Sequence, residues 1–355
     1  MKKKLRIAQI APLWVRVPPK KYGGIELIIK YLCDELTSRG HKVTLFASGD
    51  SQTKAKLVSL RKRPLLEDGI KWTNQAFTLL NIAQVYEHKK DFDIIHAHND
   101  IYDLFFALTS TTPTVHTIHN PLIAKTEQDL RKLVFEHYRH LNYVNISESQ
   151  KKLAAAKRMH FIKTVYNGID VSQFSFNAHP KNHFIWIARV DKYKGIGNAI
   201  RASRLAHEKL IMAGRLDYTQ EEYFAKEIKP RLNSQTQFIG EIGGKEKSIF
   251  YRNAKALLYP IEWDEPFGLV MTESMACGTP VIAFDRGSVR EIVKNGVTGF
   301  VVKTIPEMVR AMKKIDTIDR QACRDWVEKK FSVKAMVDGY EEVYERVLSQ
   351  KRSIR

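Results

Sequence analysis

Short apolar runs bounded by turn residues alternate along this chain with longer segments whose apolar positions recur at helical spacing. Such alternation suits parallel sheets with helices on both faces, since a strand buried on both sides is apolar throughout. In the first half, Leu5–Ala11, Lys42–Ser48, Asp93–His98, Pro113–His119, Tyr143–Ser147 and Ile162–Tyr166 predict strands. Ile25–Arg39 predicts a helix closed by Gly40. Ile101–Leu108 and Thr126–His140 read as further helices, and residues 51–70 as a basic, irregular stretch.

A turn signal at Asn167-Gly168 and a polar stretch from Ser172 to Asn182 interrupt the pattern. It then restarts, with strands His183–Val190, Lys209–Ala213, Gln237–Gly240, Ala256–Pro260, Pro280–Phe284 and Gly299–Val302. Helices are expected over Gly195–Ala206, Glu221–Leu232, Lys245–Ala254, Phe267–Ala276, Pro306–Lys314, Arg320–Phe331 and Val333 to about Ser349. The expected organisation is a first α/β domain over 1–172, a second over 173–332 and a terminal helix over 333–355. Doubly wound domains bind ligands beyond the carboxyl ends of their strands. No Gly-x-Gly-x-x-Gly follows the first strand, which argues against a dinucleotide dehydrogenase.

Composition narrows the class. The 355 residues suffice for two cores, and no run of eighteen apolar residues exists to span a membrane. Cys33, Cys277 and Cys323 form no CxxC pair, so a reducing, cytoplasmic setting is expected. The formal charge of +19 is spread over both halves. No helix-turn-helix, zinc knuckle or RNP-like string accompanies it, so nucleic acid is not an expected partner. Attraction to the anionic inner face of a membrane fits better, through the basic loop 54–63 and the amphipathic stretch Lys151–His160.

The most informative string is Glu265-Pro266-Phe267-Gly268-Leu269-Val270-Met271-Thr272-Glu273, with Gly278-Thr279-Pro280 closing its helix. Two carboxylates eight residues apart lie roughly 12 Å apart along a helical axis, at ~1.5 Å per residue. That span suits a sugar at one end and a ribose at the other, with phosphates between them at first-turn amides. In Arg189-Val190-Asp191-Lys192-Tyr193-Lys194-Gly195, two cations fall at a strand end and a helix start. Fixed cations there would offset the charge of a departing diphosphate.

These strings resemble the retaining family-4 glycosyltransferases of the GT-B fold. The family writes Glu-x-Phe-Gly-Leu, Glu-Ala-Met-Ala and Gly-Thr-Pro-Val for the first, and Gly-Arg followed by Glu-Lys-Gly for the second. Here Pro266, Ser274, Ala188 and Tyr193 are departures. The resemblance implies two doubly wound Rossmann-like domains facing across a cleft, the terminal helix crossing back onto the first. It implies a retaining, metal-independent transfer of a hexose from a nucleoside-diphosphate sugar, most often a UDP-sugar, to a hydroxyl, with no cofactor besides that co-substrate. Same-face attack, the leaving phosphate taking the acceptor's proton, is its usual description.

Residue by residue, Arg189 and Lys194 match the diphosphate-binding pair, Glu265 the carboxylate near the donor sugar and Glu273 the one that grips ribose. Gly268, Leu269 and Val270 match backbone contacts to the donor, as do Gly23 and Gly24 in Tyr22-Gly23-Gly24-Ile25-Glu26. His119, ending a Thr-x-His strand, matches the histidine that orients the transferring sugar; His98 is a weaker match and His96 reads as structural. No metal site is expected. The opening Ala11-Pro12-Leu13-Trp14, with Val17-Pro18-Pro19 and Phe46-Ala47-Ser48-Gly49-Asp50-Ser51, resembles a bacterial subgroup that includes UDP-glucose-dependent pterin glucosyltransferase-like proteins. Trp14 is the candidate to stack on an acceptor, whether small molecule, glycan or lipid-linked; packing within its loop is the alternative. A nucleotide-sugar epimerase and a non-catalytic nucleotide-sugar-binding protein are the competing functions on the same fold.

Overall fold

A computed structural model describes residues 3–21, 23–71, 73–122, 129–152 and 157–353. The chain divides into two units, Met1–Gly168 with Val333–Arg355, and Ile169–Ser332. The first division falls at 168/169 rather than at 172/173. Ile169 already bridges to Ser332, its amide bonded to the Phe331 carbonyl at 2.8 Å, so the chain joins the second unit before its polar stretch begins.

The first unit is built on seven parallel strands: β1 Arg6–Ile10, β2 Lys42–Phe46, β3 Lys56–Val58, β4 Ile94–Ala97, β5 Thr114–Ile118, β6 Tyr143–Asn145 and β7 Phe161–Thr164. Their order is β3-β2-β1-β4-β5-β6-β7, with Ile7 level with Val43 on one side and Ile94 on the other. All residues of β4 and β5 are buried, as a two-sided parallel strand requires. Helix Gly24–Ser38 buries the stripe Ile28, Ile29, Leu32, Cys33 and Leu36, and Gly40 leaves it at φ 89°. Helix Val333–Ser353 packs on this helix and on β7, burying Val337, Tyr340, Val343 and Tyr344. Arg39 clamps it by hydrogen bonds to Asp338 at 2.7 Å and Glu341 at 3.0 Å.

The second unit has six parallel strands: β8 Phe184–Ile187, β9 Leu210–Ala213, β10 Thr236–Phe238, β11 Ala256–Tyr259, β12 Val281–Phe284 and β13 Gly299–Val302. Their order, β10-β9-β8-β11-β12-β13, repeats the pattern of the first sheet. In each sheet the order reverses beside the first strand, between β1 and β4 and between β8 and β11.

Several expectations shift. Residues 51–70 are not wholly irregular, since β3 adds to the sheet edge, and a helix Ala76–Glu87 follows that the polar pattern did not announce. Ile101–Leu108 shrinks to a single turn, Leu104–Ala107. The expected helix Thr126–His140 and the stretch Lys151–His160 lie partly outside the described residues; within them, Leu130–His137 is helical, capped by Asp129. Glu221–Leu232 begins as an α-turn, widens to a π-turn over Phe224–Ile228 and ends in a 3-10 turn. Pro230 lacks the amide that regular α-helix would need there.

Candidate active site

In the second unit, the loops after β8 and β11 flank the reversal of strand order, where such sheets bind ligands. The first loop carries Lys194 at the end of a 3-10 turn, Lys192–Lys194, started by Asp191 accepting from the Tyr193 amide. Gly195 follows at φ 75°, and a Cβ there would lie 2.0 Å from the Pro260 carbonyl oxygen. Only glycine lets the two loops approach this closely. Trp186, fully buried in β8, donates to the Lys194 carbonyl at 3.0 Å and fixes the turn from below.

The second loop brings Glu265 to this cation. Lys194 Nζ lies 2.7 Å from Glu265 Oε2, which also accepts from Tyr259 at 2.6 Å and from the Trp263 indole at 3.0 Å. The ammonium sits 4.2 Å from the centroid of the Trp263 ring. With side chains 15% and 9% exposed, the pair is shielded enough that removing one partner would cost ~3–5 kcal/mol. All three donors converge on one oxygen, Oε2. The backbone of Glu265 is pinned too: its carbonyl accepts from the Ser288 amide at 2.9 Å, and Gly287 at φ 54° passes too close for a side chain.

Arg189 lies two residues beyond β8 rather than at its last position. Its guanidinium leans towards Asp191 at 3.5 Å, and its buried Nε has no hydrogen-bond partner. The helix expected from Phe267 begins at Leu269, because Gly268 adopts φ 83° at the N-cap. Leu269 and Val270 thus carry first-turn amides for which the helix offers no carbonyl. Glu265 stands four residues ahead of this helix, so helical rise does not set its spacing from Glu273. Glu273 is 1% exposed, with Lys247 at 2.5 Å and the Tyr251 hydroxyl donating at 2.8 Å. Lys247 and Tyr251 escaped the sequence reading; their i, i+4 placement on helix Gly244–Arg252 was the available signal.

In the first unit, the same topological position holds a row of histidines, with the Asp100–Arg131 ion pair at 3.1 Å beside it. His119, just past β5, presents Nε2 to His98 Nδ1 at 2.9 Å, and His98 Nε2 reaches Gln9 Oε1 at 2.9 Å. Burial holds His96 and His98 well below the usual histidine range, helped by their neighbouring rings. His119, whose ring is enclosed although part of the residue meets solvent, is pushed down to about 4 by burial. His96 Nε2 meets Thr117 at 2.7 Å and its Nδ1 meets Tyr344 at 2.8 Å. His96 in β4 and His98 just past it thus spend their nitrogens on protein partners, and among the described residues no three His, Cys, Asp or Glu groups could hold a metal ion.

Gly23 stands at φ 146°, where a Cβ would come within 2.8 Å of Pro19 and 2.9 Å of Glu26 Oε2. Gly24 opens the following helix. Glu26, in its first turn and 6% exposed, is pushed up to about 7 by burial, partly offset by its own backbone amide. Trp14 is buried with Leu13 and Leu65, and Val15, Leu66, Ile70 and Phe77 pack around them, so it joins its loop to the segment after β3.

Comparison with known proteins accords with this geometry. Residues 22–173 match the family Glycosyltransferase Family 4, and 170–331 match Glycosyl transferases group 1. A phosphatidyl-myo-inositol mannosyltransferase of Mycobacterium tuberculosis is 24% identical over 336 residues, covering 86% of this chain and 85% of that protein. Sucrose-phosphate synthase of Thermosynechococcus elongatus superposes with a TM-score of 0.79 at 19% identity, covering 98% of this chain and all of that one. HepE of Anabaena, solved with UDP and glucose, gives 0.75 at 17% identity over 96% of this chain and 100% of its own. The paired matches run from residue 22 to 331, and with these two sheets they place the chain among the family-4 glycosyltransferases of the GT-B fold.

Proposed function

We propose that this glycosyltransferase is a retaining, metal-independent hexosyltransferase that takes its sugar from a nucleoside diphosphate, UDP-glucose being the first donor to test. The observation that carries this reading is Lys194 held 2.7 Å from Glu265 between the two loops at the strand-order reversal. Lys194, with Arg189, faces the diphosphate and offsets its charge as the sugar leaves. Glu265 Oε1 accepts from a hydroxyl of the hexose, and Gly268, Leu269 and Val270 offer backbone to the phosphates. Glu273 takes the ribose hydroxyls, and Lys247 at 2.5 Å holds its carboxylate in place. In the first unit, Gly23 and Gly24 admit the phosphates closely and His119 meets the sugar. The β-phosphate accepts the acceptor hydroxyl's proton, and the sugar keeps its anomeric configuration. The HepE neighbour, whose structure holds UDP and glucose, supports the choice of donor.

The acceptor is a hydroxyl compound. The opening motifs favour a pterin-like small molecule, and the mannosyltransferase relative makes a lipid-linked acceptor the comparison to run beside it. No helix among the described residues is long and apolar enough to cross a membrane. Contact with anionic lipid through the basic loop 54–63 belongs to the same reading, and salt-sensitive flotation on phosphatidylglycerol vesicles tests it. For the transfer itself, labelled UDP-, GDP- and ADP-hexoses are incubated with pterin and lipid acceptors in EDTA. Release of nucleoside diphosphate and an α-linked product from an α-donor are expected. An inverted product, or turnover that EDTA abolishes, refutes the mechanism.

A further inference from the structure

The histidines of the first unit do not end at one another. Beyond His98, the side chain of Gln9 on β1 is fully buried and connects three groups. Its Oε1 faces His98 Nε2 at 2.9 Å, while its Nε2 lies 3.1 Å from the Tyr344 hydroxyl and 3.4 Å from His96 Nδ1. Tyr344 bonds His96 Nδ1 at 2.8 Å, His96 Nε2 bonds Thr117 at 2.7 Å, and Thr117 meets the Tyr340 hydroxyl at 3.1 Å. An unbroken line of hydrogen bonds therefore runs from His119 to two tyrosines of helix Val333–Ser353.

The direction of each bond follows from which atoms have protons to give. An amide oxygen only accepts, so His98 Nε2 carries the proton that meets Gln9 Oε1. A neutral His98 then has a bare Nδ1, which can only accept, and the shared proton of the next bond sits on His119 Nε2. His119 is left with a bare Nδ1, an acceptor. At the other end, the Gln9 amide donates to Tyr344, which donates to the bare Nδ1 of His96. The depressed basicity of all three rings keeps the line uncharged at neutral pH. Reversing the Gln9 amide would reverse every bond, so the state of one ring reports on the whole.

We propose that Gln9 is a positioning residue that sets the tautomers of His98 and His119, so that His119 offers a hydrogen-bond acceptor, its amide oriented jointly by the Tyr344 hydroxyl and the bare Nδ1 of His96, either of which suffices. The consequence for transfer rests on the reading that His119 meets the donor sugar, whose hydroxyls are the donors such an acceptor selects.

Long-range 1H–15N correlation on the 15N-histidine-labelled protein at pH 7 reads each ring's tautomer directly. Wild type should show His96, His98 and His119 neutral with the proton on Nε2. A proton on His119 Nδ1, or a doubly protonated ring, overturns the proposal whatever the variants do. In Gln9→Leu the acceptor for His98 is gone, and both His98 and His119 should show mixed tautomers. In Gln9→Glu a carboxylate oxygen remains to accept, and the Nε2 form should return, which a purely structural role would not produce. Single-tautomer spectra in Gln9→Leu overturn the proposal. Turnover separates it from the functional reading: kcat/KM for the nucleotide sugar should fall about tenfold in Gln9→Leu, the worth of one hydrogen bond, and recover in Gln9→Glu. Mixed tautomers with undiminished kcat/KM would leave the relay standing and remove His119 from the sugar site.

Discussion

The two sheets repeat one strand order, yet the side chains gathered at their reversal points answer opposite electrostatic problems. In the second unit the groups are ions: Lys194 with Glu265, Lys247 with Glu273, and Arg189 leaning on Asp191. In the first, beside the Asp100–Arg131 pair, they form a neutral line of imidazoles, hydroxyls and one amide satisfied by hydrogen bonds. A shared backbone topology fixes where a ligand meets each sheet, and it leaves the charge of that place to the loops. A charged cluster suits an anionic leaving group. A neutral one suits sugar hydroxyls, which need direction more than countercharge.

The contrast predicts that single substitutions hurt most where charge is stranded. Lys194→Met strips the Glu265 carboxylate of its cation in a shielded pocket and leaves Tyr259 and Trp263 as its donors. Transfer should fall by ~10²–10³, and the protein should lose ~3–5 kcal/mol. The double variant Lys194→Met/Glu265→Gln should regain much of the stability and none of the activity. A double variant no more stable than the single one in urea titrations would mean that the pair is not coupled.

A second test uses Glu26, a buried carboxyl of the first unit. Glu26 protonates at about 7 when folded against an ordinary 4.5. Between those values the folded state binds more protons than the unfolded one, so this group's share of stability falls as pH rises. Above pH 7 the full cost, about 3 kcal/mol, is in place. The histidines run the other way. His119 drops from 6.5 to about 4, so the unfolded chain binds more protons in that window and stability is lost as pH falls below 6.5. Glu26→Gln should therefore raise the melting temperature at pH 8 and steepen its decline between pH 6.5 and 4. A profile parallel to wild type would show that Glu26 is already ionised at neutral pH in the folded chain.

Much of this was legible in the chain. Strand positions showed because β4, β8, β11 and β12 are apolar almost throughout, and burial on two faces permits little else. The edge strand β3, which opens on Lys56 and is only half-buried, carries no such mark. In the site, Glu265 and Lys194 could each be named, but not their contact, since 71 residues separate them and no local pattern encodes the approach of Gly195 to Pro260. Gln9 was hidden for the opposite reason: a lone amide in an apolar strand has no motif, and its role lies wholly in what the fold brings around it. Trp14 could be named from its type, but its packing partners Leu65 and Phe77, more than fifty residues on, could not.

The Glu273 side of the charged cluster should give a smaller effect. Glu273→Gln keeps the shape and loses the charge that Lys247 and Tyr251 attend. A neutral amide still accepts one hydrogen bond, so KM for the donor should rise ~10-fold with kcat little changed, as expected for uniform binding lost from ground and transition states alike. Lys247→Met should match it in direction. If kcat falls and KM does not, Glu273 acts at the reacting centre and not on the nucleoside.

The smallest effect should come from the far end of the neutral line, and it is the sharpest measure of the contrast. Tyr344→Phe removes one buried hydroxyl between Gln9 Nε2 and His96 Nδ1. Those two atoms already lie 3.4 Å apart, so the amide can close on the ring and keep its direction without the bridge. Nothing charged is left behind. The cost should be ~1–2 kcal/mol in denaturant titration, with the His119 tautomer as in wild type and turnover changed less than threefold. A neutral line tolerates the loss of a member because its neighbours can re-pair, whereas a stranded carboxylate cannot give up its charge without taking a proton. Should Tyr344→Phe cost as much as Lys194→Met, the hydroxyl would be fixing the packing of helix Val333–Ser353 itself, and the difference between the two clusters would lie in rigidity, not in charge.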